Sequence, residues 1–497
     1  MSHPSSNPPK SSFTATGPLE PGLETFRYGW AFYVLATVLS EHFLWLGPQR
    51  TALLARYGLL FILALGVMAR PASHWLVIAL NMVLAGGYLA EMPVLTNHGM
   101  LTLIAALTLL GLDLPHALAG RASPARFPRS LWQQTRTLLG FELILMYFLV
   151  VLHKLNRDFF DVQHSCVVAM ARELAESWAL PWPEAPGWGQ TLILLTLLIE
   201  ALIPVLLLIP ALRLPGLLIG FAFHAVLMLH PNPYIMGYST LMYVMYLTFL
   251  PEPVTARVAV FWKSHKRTML WFFLGALGLY VITTAVMAGM SHRLDGRGLL
   301  KAHHKAARIG LSVGWMLSHA FFAWTIVRAF RHTPMAAAGD CQSFFRPLAH
   351  PASLLIAVML ANGLAPYLGL YSARTWSMFS NLKVENGQSN HLLIPASSQI
   401  FPYLRETRLV LDSSDWQTHW AGTRGYQIPL VELRRRLSID PDPARYVIMA
   451  RPGEPFRRIS YEEEPEHEVF QRLPFWIEKI FLCRAVSAGN APCPCEW

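Results

Sequence analysis

The chain has 497 residues, of which 54% are hydrophobic and only 14% are charged, and it carries a net charge of +10. Because soluble domains average roughly 25% charged residues, this composition argues against an ordinary soluble protein. The apolar residues come in long runs, which is typical of a polytopic membrane protein. Cytoplasmic loops then explain the basic excess better than nucleic acid does, and no nucleic-acid-binding module is recognisable.

Residues 1–25 are polar and rich in Ser and Pro, without the layout of a signal peptide, so we predict a disordered N-terminal tail. Apolar segments follow, several of them only about 17 residues long, so we predict a mainly α polytopic bundle of about 9–11 spans. The candidate spans are Phe26–Trp45, Leu53–Ala69, His74–Leu89, Met100–Leu118, Trp132–Leu152, Leu192–Leu212, Leu214–Leu229, Met236–Leu250, Leu270–Met290, Ile309–Phe330 and Ser353–Tyr371.

Two basic loops set the expected orientation. Arg126 and Arg129 lie between the fourth and fifth candidate spans, and Lys263 and Lys266 lie between the eighth and ninth. The positive-inside bias places both loops in the cytoplasm. Counting spans from them puts the N-terminus inside and the C-terminal region outside. The basic segment Ser291–Arg308 would then lie outside, which conflicts with the same bias.

The composition changes near Ser372, where charged residues become frequent and alternating runs such as Tyr403–Leu411 and Tyr446–Ala450 appear. We therefore predict that residues 372–497 form a small α/β or β-rich extramembrane domain. Within it, residues 376–391 (WSMFSNLKVENGQSNH) are dense in Asn and Ser, which indicates a structured loop.

Three of the five cysteines, Cys483, Cys493 and Cys495, lie near the C-terminus. The Cys-Pro-Cys of 493–495 lacks a second pair at the spacing of a zinc site. A disulfide from Cys483 to Cys493 or Cys495 could form if this region lies in an oxidising compartment.

The most unusual stretch is Tyr147–Cys166 (YFLVVLHKLNRDFFDVQHSC), where an apolar helix ends in a series of polar residues. Lys154 alone could be an anchor, because lysine side chains reach from helix ends to the membrane surface. The Asn156, Arg157 and Asp158 that follow are not needed for anchoring. We interpret the stretch as a polar site built at membrane depth.

Other unusual polar residues fall on the same side of the predicted bundle. Span counting places Glu200 in the sixth span and puts these residues in the outer half of the membrane: Asn97, His98, Lys154, His224, His230 and Tyr238. An intramembrane His or Glu usually faces a bundle interior or a pathway, and a buried acid must be paired or protonated. Each residue also has a structural interpretation, such as a helix cap for His98 and a structural hydrogen bond for Glu200.

The chemistry that suits such residues is proton transfer. A lysine near apolar surface loses stabilisation of its charged form and can act as a base, and a nearby histidine can share the proton. The sequence contains no P-loop, no Rossmann glycines, no nucleophile elbow and no convincing metal-ligand spacing. We therefore expect a substrate or cofactor that is apolar enough to enter from the bilayer, and we predict no metal.

The run Lys154–Phe159 (KLNRDF) resembles the K-L-D-x-D-W segment of vitamin K-dependent gamma-glutamyl carboxylase and of the wider HTTM (horizontally transferred transmembrane) family. Asn97-His98 resembles the Asn-His pair that precedes that family's lysine. Phe223-His224 and the later Ile235–Ser239 (IMGYS) resemble its Phe-His segment and the Gly-containing motif after it. The order and rough spacing agree over residues 26–290, which leaves residues 291–371 as additional membrane helices.

The resemblance implies that Lys154 deprotonates reduced vitamin K or another quinol. Oxygen would then convert the quinol to an epoxide through a strongly basic alkoxide, which removes a γ-proton from a substrate glutamate so that the carbanion takes up CO2. His98 and Asn97 would assist at the quinol, and His224 would lie near the same pocket. We expect Glu200, Tyr238 and His230 to line the cofactor site.

The sequence departs from the family pattern in three ways. Phe159 stands in place of a tryptophan, His153 in place of a lysine, and the region after residue 372 does not match the carboxylase's substrate-binding region. Quinol chemistry is therefore better supported than glutamate carboxylation.

Our first hypothesis is a carboxylase-like enzyme, of the carbon–carbon lyase and quinol monooxygenase type, in the inner (cell) membrane of a bacterium. Its site would face the outer side, and a peptide or protein would be its substrate. The rival is a non-catalytic maturation, export or lipid- or peptide-binding protein with the same bundle. A third hypothesis is a proton-coupled transporter that uses Glu200 and His224, although no inverted repeat supports it.

Overall fold

The computed structural model describes residues 19–38, 51–119, 130–230, 232–265, 267–268, 271, 275, 316–317, 319–332, 350–414, 426–438, 444–487, 491–492 and 495. Most of these residues are helical. The helices are α1 Pro21–Thr37, α2 Thr51–Ala69, α3 His74–Glu91, α4 Asn97–Ala119, α5 Leu131–Lys154, α6 Arg157–Phe160, α7 Cys166–Ser177, α8 Trp188–Leu208, α9 Arg213–Leu227, α10 Pro233–Tyr246, α11 Leu354–Leu368, α12 Leu430–Leu437 and α13 Phe475–Ile480.

Six helical segments among the described residues are long and apolar enough to cross a membrane. They are His74–Glu91, Asn97–Ala119, Leu131–Lys154, Trp188–Leu208, Pro210–Leu227 and Pro351–Leu368. Each lies on a span predicted from sequence, and α1, α2 and α10 lie on three more predicted spans. The predicted span Leu270–Met290 falls almost entirely outside the described residues, and residues 319–331 of Ile309–Phe330 are helical. The mainly helical prediction is confirmed at this level.

The bundle buries several charged side chains and exposes many apolar ones. Glu142 and Glu200 are buried, whereas Ile62, Leu194 and Leu198 are exposed on the surfaces of their helices. A bundle in water would show the opposite arrangement, because exposed apolar surface is unfavourable there. This distribution is compatible with a membrane protein.

Local capping fixes the start of α5 and the turn that follows it. The Ser130 side chain accepts a hydrogen bond from the Gln133 N–H at 3.2 Å, so it caps the N-terminus of α5. At the other end the backbone leaves the helix at Leu155. Asn156 then caps α6, because its Oδ1 accepts from the Phe159 N–H at 2.9 Å. The segment after Lys154 therefore turns sharply.

The described part of the C-terminal region contains an antiparallel sheet with the strand order β4-β3-β1-β2-β5. The strands are β1 Thr407–Ser413, β2 Tyr426–Pro429, β3 Tyr446–Ala450, β4 Arg457–Ser460 and β5 Val486–Ser487. Val410, Ile428, Val447 and Leu433 of α12 form its buried core. The predicted strand segments coincide with β3 and overlap β1, so the expectation of strands in this region is confirmed.

A second apolar core joins the sheet region to the helical bundle. It contains Tyr367 at the end of α11, Leu382 and Val384 from the following loop, and Ile477 of α13. The C-terminal region therefore packs directly on the ends of the membrane-length helices.

The one disulfide among the described residues joins Cys166 to Cys495. Cys483 is a buried free thiol, so the predicted pairing of Cys483 with Cys495 is wrong, and Cys493, the other predicted partner, lies outside the described residues. The reason is its position in the core beside Tyr371 and Phe481, where burial raises the pKa of the Cys483 thiol well above its ordinary value. Cys166, the first residue of α7, is instead bonded to Cys495 near the C-terminus.

Peptide mapping under non-reducing conditions should recover a linked peptide pair that contains Cys166 and Cys495. Cys495→Ser should abolish this pair and lower the free energy of unfolding by about 2–4 kcal/mol, because the disulfide constrains the unfolded chain. Cys483→Ser is the matched control and should leave the linked pair unchanged. A linked peptide containing Cys483 would contradict the assignment.

Candidate functional site

The ion pair between Lys154 and Glu200 is the centre of the candidate site. The Lys154 Nζ lies 2.5 Å from Glu200 Oε1 and also donates to Oε2. Both side chains are buried, with 4% and 9% of their surfaces exposed. The ring of Phe159 adds a cation–π contact, with its centroid 5.7 Å from the Nζ. A lysine predicted from sequence as a base is therefore held by an acid 46 residues further along the chain.

The pair lies deep along α8 rather than at its end. Glu200 is twelve residues after Trp188, the first residue of α8, which corresponds to about 18 Å along a helix axis. Lys154 is the last residue of α5. The end of α5 therefore contacts α8 more than three turns from the start of α8. The segment between Lys154 and Trp188 spans this distance along the chain.

A second polar group lies next to the ion pair and links three helices. His224 of α9 places its Nε2 3.0 Å from the Tyr147 hydroxyl of α5 and its Nδ1 3.3 Å from the Ser239 hydroxyl of α10. The Tyr147 hydroxyl is also hydrogen-bonded to that of Tyr246. A neutral imidazole can donate from one of these nitrogens and accept at the other. The group can therefore relay a proton between hydroxyls.

The two groups form one buried polar region. Glu200 lies close enough to the phenols of Tyr147 and Tyr238 to interact with them electrostatically. The Tyr238 ring meets the His224 ring edge-on, with centroids 5.3 Å apart. Lys154, Glu200, His224 and Tyr238, all expected at the site from sequence, are thus brought together by α5, α8, α9 and α10.

Residues 372–391, which we call the polar loop, complete this region from the C-terminal side. The Trp376 N–H donates to Asn97 Oδ1 at 2.8 Å. The carbonyl of the preceding Thr375 accepts from His153 Nε2, also at 2.8 Å. Thr375 and Trp376 therefore connect the start of α4 with His153, the residue before Lys154.

The backbone of the polar loop is unusual. Five residues other than glycine have positive φ: Arg374, Trp376, Phe379, Asn381 and Asn386, with values between 53° and 59°. Positive φ is uncommon outside glycine, and such conformations concentrate at functional sites where the surroundings hold them in place. Here many side-chain to backbone hydrogen bonds provide that support.

Asn156 is the main link between the polar loop and the end of α5. Its Nδ2 donates to the carbonyls of His153 and Ser380, at 2.8 and 2.5 Å. Its Oδ1 accepts from the Phe159 N–H, and also from the Asn390 side chain at 3.3 Å. The asparagine of the KLNRDF run is therefore a positioning residue for the turn that presents Lys154.

Asn97 and His98, both predicted from sequence as site residues, lie at the start of α4. The side-chain oxygen of Asn97 holds the Trp376 backbone, which is a positioning role, and its expected part at the cofactor stays a prediction. His98 is buried, with its Nε2 3.3 Å from the Thr96 hydroxyl. Its ring centroid lies 6.2 Å from that of Tyr234, which is one helical turn before Tyr238.

His230 has contacts with a different part of the structure. Its Nε2 lies 3.6 Å from the Glu173 carboxylate of α7, and its Nδ1 accepts from the Asn232 N–H at 3.2 Å. Burial lowers the pKa of His230 to about 4, so the ring is neutral near pH 7. These contacts join α7 to the turn before α10, and the cofactor-lining role expected for His230 stays a prediction.

Sequence reasoning missed three residues of the region. Tyr147 and Tyr246 lie in apolar helices, where a tyrosine usually indicates packing or an interface. Trp376 is fully buried, and its Nε1 has no hydrogen-bond partner in the described part of the chain. The density of Asn and Ser in the polar loop was the signal that this segment is structured, but it did not point to Trp376.

The sequence matches no family model, no curated protein and no solved structure.

Asn156→Asp should destabilise the protein by about 1–3 kcal/mol, because two buried carbonyls lose their donor. The carboxylate can still cap α6. Asn232→Asp is the matched control, because Asn232 also caps a helix through Oδ1 but lies at an exposed hydrogen bond. Thermal unfolding of both variants in detergent measures the difference. Equal effects of the two substitutions would contradict the positioning role.

Proposed function

We propose that this protein is a membrane-embedded enzyme in which Lys154, paired with Glu200, removes a proton from a weakly acidic apolar substrate of the quinol class. The observation that carries the proposal is the buried ion pair beside the His224 and tyrosine group. A buried charge pair is costly compared with apolar packing. Ionisable groups inside a membrane bundle are most often functional.

Glu200 gives Lys154 a way to become a base without leaving the site. Passing one Nζ proton to a Glu200 oxygen produces a neutral amine and a neutral acid, and the net charge of the pair stays at zero. The cost of this transfer is limited because neither product is a charge buried alone. The amine can then accept a proton from a substrate hydroxyl. Phe159 stabilises the ammonium that results.

The surrounding residues suit a flat aromatic diol. Tyr238 and Phe159 provide aromatic surface next to the ion pair. Trp376 has a buried indole N–H with no partner among the described residues, and an oxygen of the ligand could accept from it. When bound, a quinol would supply the electrons that reduce oxygen, and by the resemblance to the carboxylase a glutamate side chain would then receive CO2.

The rival proposal is a non-catalytic maturation, export or binding protein. The Lys154 ammonium is bonded to both oxygens of Glu200, so the pair is complete without a substrate and could serve only to join α5 to α8. The two proposals differ in what an arginine at position 154 would do. A structural pair would tolerate it, because arginine keeps the charge and binds carboxylates well, whereas a base would not, because arginine stays protonated.

The test is a quinol-dependent oxygenation assay on the protein in nanodiscs, with reduced vitamin K and a Glu-containing peptide. Epoxide formation and CO2 fixation are followed separately. Lys154→Ala and Lys154→Arg should each lower epoxide formation by about 10²-fold or more, the usual contribution of a general base. Activity that survives in Lys154→Arg would contradict the role as a base.

The same assay tests the contact with Trp376. Trp376→Phe removes the N–H and keeps most of the packing, so KM should rise several-fold with little change in kcat. Trp476→Phe, at an exposed tryptophan, is the control. A wild-type protein that makes no epoxide from several quinols would favour the binding or maturation proposal.

A further inference from the structure

The C-terminal region exposes large apolar side chains on its short helix α13. Phe475 and Trp476 have 74% and 53% of their surfaces exposed, and Ile480 is exposed at the other end of the helix. Ile477 of the same helix is buried in the core that joins this region to the bundle. A contiguous patch of exposed apolar side chains often marks a site of contact with another protein or with a membrane.

The position of α13 relative to the bundle is set by Lys479. Its Nζ donates to the carbonyl of Met92 at 3.4 Å. Met92 directly follows the last residue of α3, a helix of membrane-spanning length. The exposed aromatic residues therefore lie beside the end of a helix that is long enough to cross a membrane.

Two further exposed apolar pairs lie at the ends of other membrane-length helices. Leu392 and Leu393 are exposed, and the Leu392 N–H donates to the carbonyl of Leu155, the residue after α5, at 2.9 Å. Ile400 and Phe401 are exposed too, and the Phe401 N–H donates to the carbonyl of Leu368, the last residue of α11, at 3.0 Å.

These three helix ends belong to the same end of the bundle. The turn after α3 leads to Asn97, which holds Trp376 of the polar loop. The end of α5 holds the same loop through His153 and Asn156, and α11 leads directly into it. The exposed apolar residues therefore lie around one end of the bundle, and we call them the apolar rim.

We propose that this apolar rim inserts into the lipid leaflet, so that the C-terminal region is partly immersed in the membrane. The rim consists of Leu392, Leu393, Ile400, Phe401, Phe475, Trp476 and Ile480. Tryptophan and other aromatic residues are favoured where hydrocarbon meets the headgroups, and apolar faces bind there according to the area that they bury. The occupant is bilayer lipid, because helices whose ends carry the rim also expose apolar side chains along their length, such as Leu89 of α3 and Val358 of α11.

The sheet provides an internal control surface. β5 follows Arg484, whose side chain donates to the Leu382 carbonyl of the polar loop, so the β5 edge is near the bundle. β4 is the opposite edge of a five-stranded sheet, roughly 19 Å away at the usual strand spacing. Phe456, just before β4, is 50% exposed and should not reach the lipid.

The experiment replaces Phe475, Leu393, Phe401 or Phe456, one at a time, with the photocrosslinking residue p-benzoyl-phenylalanine. Each full-length variant is irradiated in nanodiscs of phosphatidylcholine and phosphatidylglycerol, and intact-mass spectrometry identifies the adducts. All four positions are exposed, so the substitutions should not disturb the core. Far-UV circular dichroism checks that each variant is folded.

Phospholipid adducts at positions 475, 393 and 401, several-fold more abundant than at position 456, are the expected result. Lipid adducts that are as abundant at position 456 as at the other three positions would overturn the proposal. They would show that the label reacts with lipid whether or not its position lies in the membrane. Protein adducts at position 475, whether with a second copy or with the scaffold, would also overturn it. These outcomes do not depend on quinol chemistry, so they are independent of the proposed enzymatic function.

Discussion

A lysine and a glutamate buried together inside an apolar bundle impose the constraint on which the rest of the structure depends. Each charge would cost several kcal/mol to bury alone. The last residue of α5 must therefore meet Glu200 part of the way along α8. Because α5 ends at this depth, the chain after it cannot emerge directly. It turns at Asn156 and forms α6, and its backbone groups are satisfied by the polar loop.

This constraint explains why a segment more than two hundred residues away contributes to the site. The carbonyls and amides around Lys154 lie where water is scarce, and unpaired backbone groups there are costly. The polar loop provides the partners, and it can do so only with several residues in the left-handed region. The cost of that conformation is offset by the hydrogen bonds that it makes. The same loop carries Trp376, whose buried indole N–H has no partner among the described residues.

The helices could be predicted from sequence, because a long run of apolar residues indicates a helix of membrane-spanning length. Lys154, Glu200, His224 and Tyr238 could be recognised as unusual for the same reason, since polar residues are rare in such runs. Their pairing could not be predicted, because it depends on how α5, α8, α9 and α10 pack. The positioning role of Asn97 and the disulfide of Cys166 depend on contacts across 279 and 329 residues, and no local pattern records them.

The most direct test of the account is a double-mutant cycle on the ion pair. Lys154→Met and Glu200→Leu are made singly and together, and the free energy of unfolding is measured in detergent. Each single variant should lose about 3–5 kcal/mol, because it leaves one buried charge without a partner, and the double variant should lose clearly less than either. Additive losses in the double variant would mean that the two side chains do not depend on each other, and would contradict the buried pair as the centre of the site.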